Sequence, residues 1–488
     1  MITEIEKNAA KFCIRYACSH GADQARVSLS RSVMDSIALL DGEIDKVTHN
    51  ADCSIYMYLF AEGRYGTFST NKLDEASLSA FIDNALEMVR MLGEDLCWKL
   101  PDPSRTEKNA LTGKELGLYD QSYHEVTAED RLSRALSMPL PCFRTNGTSS
   151  TKANGASSPK ANGTSSPKDG KTDAGEWQQP EGDYKVICEE SEWSDSIDDN
   201  YLIDSLGFEG RHTETSFTGF SEVTVQDAEG RKYSGFWWDA STTFKDFDPK
   251  TCARKALERA VRQIGPESVA SGRYKMVLDT SVSSRLISPI LGALNANSIQ
   301  QKVSFLEDSL GKQIFPEGLT LMDLARTPGK PGSRLYDTEG IATKDRAIIG
   351  NGVVKTYFTN TYMAEKTGME ATVEDISRPV LAPFRKGENL KLEENDINLA
   401  DILSICGEGL YVTSFNGGNC NPVTGDFSFG VEGFAFKEGR LTHPIKGLLI
   451  TGNIVELWSH LLVAGTDARP CTRWQIPSLA FEDVSFSA

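Results

Sequence analysis

Histidine, the side chain that most often ligates zinc and carries protons near neutral pH, is rare in this sequence. The 488 residues include six, none within six residues of another: His20, His49, His124, His212, His443 and His460. A zinc site on one helix needs two ligands on a shared face, as the HExxH spacing provides, and no such pair is present. We therefore interpret each histidine as structural or surface-exposed, although a site assembled from distant residues stays open.

Other catalytic patterns are also missing. The sequence has no GxSxG nucleophile elbow and no GxxxxGK[ST] phosphate loop. "GEGLYV" at 407–412 begins like GxGxxG, but it ends in Val412 and lacks the strand–turn–helix context. Acidic runs such as "DSIDD" at 195–199 are typical of solvated faces. A catalytic carboxylate pair cannot be chosen from sequence, because its test is spatial.

The cysteines favour reduced thiols over disulfides. None of the ten forms a CxxC pair, and the N-terminus shows no secretory signal pattern, so we expect a cytoplasmic protein. No apolar run approaches about 18 residues, so we expect no membrane segment. The formal net charge of −18 disfavours nucleic acid as a partner, because such binding needs clustered Lys and Arg.

One glycine-rich segment stands out, "SFNGGNCNPVTGDFSFGVEGF" at 414–434. One interpretation is an elaborate turn followed by a β-bulge at Gly430. The other is a backbone-rich surface for an extended peptide, because glycines let another chain approach closely. In that case the candidate peptide-binding residues are Gly417, Gly418, Asn421 and Asp426.

These segments need a scaffold, and the patterning predicts an α+β fold. The N-terminal part is an α/β unit: a helix at 2–19, an antiparallel meander with turns at Asp41-Gly42 and Glu62-Gly63, and a second helix near 78–92. The C-terminal part predicts a largely antiparallel β domain with a few helices. Within it, "RLISPILGALNANSIQQ" at 285–301 reads as an amphipathic helix, with a cap or kink at Ser288-Pro289.

We predict three domains: an N-terminal α+β domain at 1–110, a central domain at 111–266, and a β-rich C-terminal domain at 267–488. The central domain is interrupted by a Ser/Gly/Asn/Pro-rich stretch at about 143–182. It contains three eight-residue repeats, 145–168, without large apolar side chains, so we predict a disordered loop there.

Several of these motifs resemble the TldD/PmbA family, also known as modulator of DNA gyrase, and most closely its PmbA (TldE) branch. "EGRYGTFSTNKLD" at 62–74 resembles the family's N-terminal hairpin and helix start. "SFLEDSLGKQIF" at 304–315 resembles the signature of the PmbA branch. "NCNPVTGDFSFGVEGF" at 419–434 and "HPIKGLLITGN" at 443–453 resemble the C-terminal core of both branches.

The resemblance implies a heterodimeric metallopeptidase that cleaves unfolded peptides inside a closed cavity. A TldD-like protease subunit binds one zinc through an HExxxH helix and a C-terminal cysteine, and the PmbA-type subunit lacks the histidine pair. Here the corresponding helix is 285–301, with an apolar stripe and no His, Asp or Glu. Cys471, in "GTDARPCTRWQIPSL", matches the ligand cysteine, but one thiolate is a poor zinc site, so we interpret it as a remnant or core residue.

The resemblance therefore predicts a subunit with no catalytic residues and no bound cofactor, with zinc expected in the partner. Two alternatives stay open. The chain could be a self-sufficient homodimeric peptidase using unidentified residues, or a non-enzymatic regulator that binds peptides or proteins.

Overall fold

The computed structural model describes residues 1–143, 179–387 and 396–488. Antiparallel sheets dominate these residues and helices are fewer, which confirms the predicted α+β class. The three repeats lie outside the described residues. The helices are α1 (Glu4–Ser19), α2 (Glu75–Arg90), α3 (Ala128–Ser137), α4 (Thr251–Arg262), α5 (Ser284–Ala293), α6 (Ala296–Gln300), α7 (Thr361–Thr367), α8 (Leu399–Cys406) and α9 (Ile454–Ser459), with 3-10 turns at Pro103–Arg105 and Tyr123–Glu125.

A six-stranded antiparallel sheet with unusually long strands forms the first layer. Its spatial order is β3-β2-β1-β4-β5-β6. It contains strands from both predicted domains, 1–110 and 111–266, so the two share one sheet, and the boundary between them stays a prediction. The strands are β1 (Gln24–Leu40), β2 (Glu43–Ala61), β3 (Arg64–Thr70), β4 (Tyr184–Asp204), β5 (Glu209–Asp227) and β6 (Lys232–Ser241).

Helices α1 and α2 cover one end of this sheet. The Thr3 side chain caps α1 by accepting from the Glu6 backbone N–H, and Glu6 returns the bond in a capping box. Apolar positions on α1 and α2, such as Cys13 and Ile82, pack on the buried residues Val27 and Leu29 of β1. The periodicity that predicted both helices is therefore the periodicity of this core.

The acidic run at 195–199 does not form a solvated face, so that expectation was wrong. It lies within β4, where alternate side chains point into the protein, and Asp195 and Asp199 are each 1% exposed. Arg131 binds Asp195 through two hydrogen bonds of 2.8 Å. Arg211 likewise binds both carboxylate oxygens of Asp199. Buried carboxylates persist because each is paired and fully hydrogen-bonded.

The C-terminal body contains a seven-stranded sheet and a small four-stranded one. In the larger sheet β7 pairs with β13 in parallel and with β17 in antiparallel, so strands β17, β15, β14, β13 and β7 close on themselves. The strands are β7 (Gly272–Leu278), β8 (Leu321–Asp323), β9 (Arg346–Gly350), β10 (Val353–Val354), β11 (Pro379–Leu381), β12 (Phe384–Arg385), β13 (Glu408–Cys420), β14 (Asp426–Lys437), β15 (Arg440–Asn453), β16 (Leu461–Ala464) and β17 (Leu479–Ser487).

Polar contacts join the long sheet to the C-terminal body. Arg26 on β1 is buried, and its guanidinium lies 4.0 Å from the buried Glu339 carboxylate. Glu339 in turn accepts from the backbone N–H and hydroxyl of Thr361, each at 2.8 Å. A hydrogen bond also joins Arg326 to Glu107.

Among the helices of the described residues, none combines the length and the apolar character that a membrane span requires.

The Asp199–Arg211 pair gives a stability prediction. Arg211→Leu should lower the free energy of unfolding by roughly 3–5 kcal/mol in urea titrations at pH 7, because it leaves a buried carboxylate unpaired. Arg231→Leu is the control, since Arg231 pairs with Asp227 from an exposed position and its loss should cost much less. Equal losses for the two variants would contradict the prediction.

The same pair predicts a pH dependence. Burial tends to raise the pKa of Asp199, but hydrogen bonds from Arg211 and Ile2 outweigh it and hold this pKa below its usual value. Because the folded-state pKa of Asp199 is depressed, its ionised carboxylate contributes to the free energy of unfolding above the unfolded pKa of about 3.9. This contribution is lost as the pH falls towards the folded-state pKa. The wild type should therefore lose more stability than Arg211→Leu between about pH 5 and pH 3.

Candidate functional site

The helix at 285–301 exists, but the structure divides it in two. α5 ends at Ala293, and α6 begins at Ala296 after an N-cap at Asn295, whose side chain accepts from the Asn297 N–H at 2.9 Å. Pro289 lies inside α5 instead of capping it. The sequence showed no break here because apolar spacing continues through Leu294.

The apolar stripe of α5 is fully used for packing. Its members are buried in the main C-terminal core: Leu286, Ile287, Ile290, Leu291 and Leu294. The indole N–H of Trp458 donates to the Leu286 carbonyl at 3.0 Å. Ser283 donates to the Ile476 carbonyl at 3.1 Å and so ties the start of α5 to the segment after Cys471. α5 is therefore a hydrophobic wall that presents no group able to ligate a metal or transfer a proton.

The signature segment at 304–315 lies against the C-terminal end of α5. Ser304 donates to the Ala293 carbonyl at 2.7 Å, and the Phe305 N–H donates to the Pro422 carbonyl at 3.0 Å. The Tyr357 hydroxyl accepts from the N–H groups of Ser309 and Leu310 and donates to a carbonyl within the same segment. The signature is therefore a positioning loop whose backbone is fixed by polar anchors.

The glycine-rich segment forms the β13–β14 hairpin with a wide bulge. The ladder runs from Asn416 opposite Gly430 to Asn419 opposite Ser428, which leaves Gly417 and Gly418 without partners of their own. Gly418 has φ +80° and would place a Cβ 2.0 Å from the Ser428 carbonyl oxygen, whereas Gly417, at φ +67°, faces open space. The irregularity therefore lies opposite the predicted bulge position, on the partner strand.

Two of the predicted peptide-binding residues organise the turn itself. Asn421 accepts from the Val423 N–H at 2.9 Å. Asp426 accepts from Thr424 at 2.7 Å and from Asn453 at 3.0 Å, and these bonds hold the pKa of its carboxyl below the usual value. Both side chains are exposed, and their role in peptide binding stays a prediction.

Arg285 connects α5 to this hairpin. Its guanidinium donates to the Gly418 carbonyl at 3.4 Å and lies 5.1 Å from the centre of the Phe429 ring. The structure thus brings the three predicted segments, 285–301, 304–315 and 414–434, into one contiguous assembly.

Cys471 lies apart from that assembly, at the wall of a cavity of about 480 Å³ between the long sheet and the C-terminal body. Arg469 anchors its loop by donating to the Trp238 carbonyl and by stacking 4.3 Å from the rings of Trp237 and Trp238. Burial is the main cause of a raised thiol pKa at Cys471, and Asp239 raises it further. The raised pKa disfavours the thiolate, which is the form that acts as a ligand and a nucleophile.

The residues of this chain do not fit a zinc site of the kind that the resemblance implies for the partner subunit. α5 offers no imidazole or carboxylate, and burial disfavours the thiolate of Cys471. Across residues 1–143, 179–387 and 396–488, no group of three or more His, Cys, Asp and Glu is placed to hold a metal ion.

Sequence reasoning did not associate His212 with Cys471, yet both line the same cavity. Glu214 lines it as well, with a carboxylate oxygen 3.5 Å from His212 Nε2, and this contact lowers the pKa of Glu214. Alternation along β5 places both side chains on one sheet face, so the period-two pattern held part of the signal. Cys471 lies far from both residues in the sequence and comes near them only in the folded chain, so no local pattern reveals that they share a cavity.

Comparison with known proteins gives a consistent picture. The chain matches three family models: PmbA/TldA metallopeptidase domain 1 over residues 25–89, the central domain over 179–264, and the C-terminal domain over 271–488. Metalloprotease PmbA of Escherichia coli O157:H7 is 22% identical over 467 residues, covering 96% of this chain and 92% of that protein. The PmbA homolog of Haemophilus influenzae is 23% identical, covering 99% and 96%.

Solved structures agree. A protein from Bacteroides thetaiotaomicron, assigned as a modulator of DNA gyrase, is 34% identical with a TM-score of 0.85, and the match covers 100% of both chains. TldE from Thermococcus kodakarensis is 16% identical with a TM-score of 0.77, covering 98% of this chain and 100% of that one, and this likeness shows the shared fold.

The bulge gives a matched pair of variants. Gly417→Ala and Gly418→Ala both place an L-residue at positive φ, which costs about 1–2 kcal/mol. Gly418→Ala should lose roughly 1–3 kcal/mol more, because its Cβ meets the Ser428 carbonyl. Urea unfolding measures the difference, and equal losses would show that the bulge does not enforce this close approach.

The Cys471 thiol gives a reactivity prediction. Asp239→Asn should increase the rate of Cys471 alkylation at pH 7.5 by roughly threefold or more, because removing the negative charge lowers the thiol pKa. Peptide mass spectrometry separates Cys471 from the other cysteines. Asp246→Asn, at an exposed position after the end of β6, is the control and should leave the rate unchanged.

Proposed function

Since the chain belongs to the PmbA/TldD metallopeptidase family, we propose that it is a pseudoenzyme subunit of a heterodimeric metallopeptidase. In this proposal it binds no metal, and it pairs in the cytoplasm with a zinc-bearing TldD-like partner that cleaves unfolded peptides. Neither nucleic acid nor a membrane is a partner. The net charge of −18 supports the exclusion of nucleic acid.

The observation that carries the proposal is the composition and burial of α5. A peptidase helix must present polar ligands and a general base to solvent-accessible space, and such groups are costly to bury. Here the buried positions are aliphatic and form part of the main core, and the exposed positions hold Arg285, Ser288 and Gly292. None of these is a usual zinc ligand or general base, so in this proposal the helix supports the site architecture without supplying chemistry.

Cys471 supports the same conclusion independently. Zinc binding requires the thiolate, and its formation is opposed here by burial and by the neighbouring Asp239. A lone thiol of raised pKa gives neither a structural zinc site nor an activated nucleophile.

The contribution to peptide binding would come from the β13–β14 hairpin. Gly417 exposes backbone with open space beside it, and Arg285 donates to the Gly418 carbonyl and so helps to fix the bulge. Exposed backbone groups bind an extended chain with little dependence on sequence, which suits unfolded substrates.

A second candidate is a peptidase that acts alone. The observation that favours it is the cavity that collects His212, Glu214 and Cys471. Because the raised pKa of Cys471 disfavours its thiolate, this candidate depends on His212 and Glu214 as the acid–base pair.

Metal analysis and peptidase assays of the purified chain test both candidates. We expect well below one zinc per chain, no cleavage of an unfolded peptide by the chain alone, and cleavage once a TldD-like subunit from the same host is added. Stoichiometric zinc together with activity of the isolated chain would overturn the proposal.

Cavity variants sharpen this test. His212→Gln and Cys471→Ala should leave the activity of the two-chain assembly within about twofold, because in this proposal the partner subunit carries out the cleavage and neither residue takes part in it. If activity of the isolated chain appears and is lost in His212→Gln, the second candidate is correct.

A further inference from the structure

Another cavity lies between β6, the C-terminal end of α4 and the strands β13, β14 and β15. Its volume is about 290 Å³, close to the lower limit of about 300 Å³ for small-molecule sites. Its lining does not include Gly417, Gly418, Asn421 or Asp426, and it does not include Cys471. The cavity is therefore separate from the predicted peptide-binding residues and from the cavity of Cys471.

Two β-bulges at the same level of β14 shape the floor of this cavity. The register of β13 shifts at Thr413, which has no partner on β14. The register of β15 shifts where Lys446 and Gly447 lie opposite the single residue Glu432. Bulges redirect side chains and are frequent beside binding sites. Here Thr413, Lys446 and Glu432 all line the cavity.

Three positively charged side chains from three elements line the cavity, and we call them the cation cluster. They are Lys232 at the start of β6, Arg262 in the last turn of α4, and Lys446 on β15. All three are exposed, and none of their side chains forms a hydrogen bond or an ion pair within the described residues. Glu432 offsets one of these charges, which leaves a local excess of two positive charges in a chain of net charge −18.

The other charges beside the cation cluster are already paired. Asp279 is buried, and it accepts from Arg259 at 2.9 Å and from the Tyr411 hydroxyl. Asp279 therefore neutralises Arg259 and does not neutralise the cation cluster. Gln263 donates to the Ser234 carbonyl at 2.7 Å, which fixes the end of α4 against β6. The walls of the cavity are thus held in place before any ligand binds.

One wall of the cavity is apolar. Phe236 on β6 is 49% exposed, and it lines the cavity together with Pro266 and Pro444. The Glu267 N–H donates to the Pro444 carbonyl at 2.9 Å and so fixes the chain beside both prolines. An exposed aromatic ring favours contact with another flat ring. A ligand that uses both walls has an anionic end and a planar apolar end.

A phosphate monoester matches the cation cluster better than a carboxylate does. At pH 7 it carries a charge of about −1.5 to −2 and presents three acceptor oxygens. This charge equals the local excess, and three oxygens can accept from donors that arrive from three elements. A carboxylate has one charge and two oxygens in one plane. Arginine and lysine are also the side chains that most often bind phosphate.

We propose that this cavity binds a phosphate monoester of a planar aromatic group. The cation cluster binds the phosphate, and Phe236 contacts the ring. This site goes beyond the proposed function, because it involves neither a metal ion nor peptide cleavage.

Isothermal titration calorimetry of the full chain tests the ligand class in a phosphate-free buffer at pH 7.5. Phenyl phosphate should bind saturably, with one molecule per chain. Inorganic phosphate lacks the ring and benzoate lacks the second charge, so each should bind roughly fivefold more weakly or worse. No saturable binding of phenyl phosphate would overturn the proposal, and so would equal affinity for phenyl phosphate and either of the other two probes.

Variants of the cation cluster test the location. Arg262→Gln and Lys446→Gln should each raise the Kd for phenyl phosphate roughly tenfold, because each removes a charged hydrogen-bond donor. Lys437→Gln is the matched control: it removes the same charge at an exposed position at the end of β14, outside the cavity, and should leave the Kd unchanged. Phe236→Ala should weaken the binding of phenyl phosphate and leave that of inorganic phosphate unchanged.

Glu432→Gln should change the affinity in the opposite direction. It removes the negative charge beside the cation cluster, so phenyl phosphate should bind roughly threefold more tightly or better. Damage to the fold would not strengthen binding, which separates this result from a structural effect. Weaker binding by Glu432→Gln, or an unchanged Kd in both Arg262→Gln and Lys446→Gln, would overturn the proposal. Metal content and peptidase activity enter none of these measurements, so failure here leaves the proposed function to its own test.

Discussion

The long sheet depends on two buried ion pairs, Arg131 with Asp195 and Arg211 with Asp199. Asp199 accepts from Arg211, from Thr213 and from the backbone N–H of Ile2, which joins β4, β5 and the start of the chain at one point. An unpaired carboxylate at that depth would cost several kcal/mol, so none of the three elements can shift independently. Where the sheet meets the C-terminal body, the Arg26 guanidinium lies 4.0 Å from the Glu339 carboxylate, and burial raises the pKa of Glu339 in spite of this neighbour.

Within the C-terminal body, hydrogen bonds between a few side chains and the backbone hold the loops around α5 in place. Tyr357 fixes the signature loop, and Asn453 fixes the hairpin turn by donating to the Thr424 carbonyl and to Asp426. Asn453 also caps α9. Each anchor holds main-chain groups, so the shape of the assembly does not require catalytic side chains. A site architecture can persist in this way while α5 serves only as core.

Much of the fold was predictable because its signals are local. Caps, turn glycines and apolar spacing located α1, α2 and the hairpins within a few residues. The failures have two physical origins, one a long-range contact and the other a local cap. Asp195 and Asp199 read as solvated because sequence shows the charge and not the distant Arg131 and Arg211 that neutralise it. The break after Ala293 was missed because Asn295 acts as a cap, while the apolar pattern continues across it.

In the candidate site, too, the features with a local sequence pattern were predictable, and those formed by distant residues were not. The segments 285–301, 304–315 and 414–434 were each recognisable, since each carries a local pattern, and they do lie together. The cavity that brings His212 to Cys471 joins a strand of the long sheet to a loop more than 250 residues away, and no local pattern reports that contact. Environment then modifies chemistry: burial and the neighbouring Asp239 raise the thiol pKa of Cys471, a cysteine at a ligand position. Residue identity alone thus overstates what Cys471 can do, and the buried, apolar α5 is the stronger indicator that this chain supplies architecture to a peptidase instead of its reacting groups.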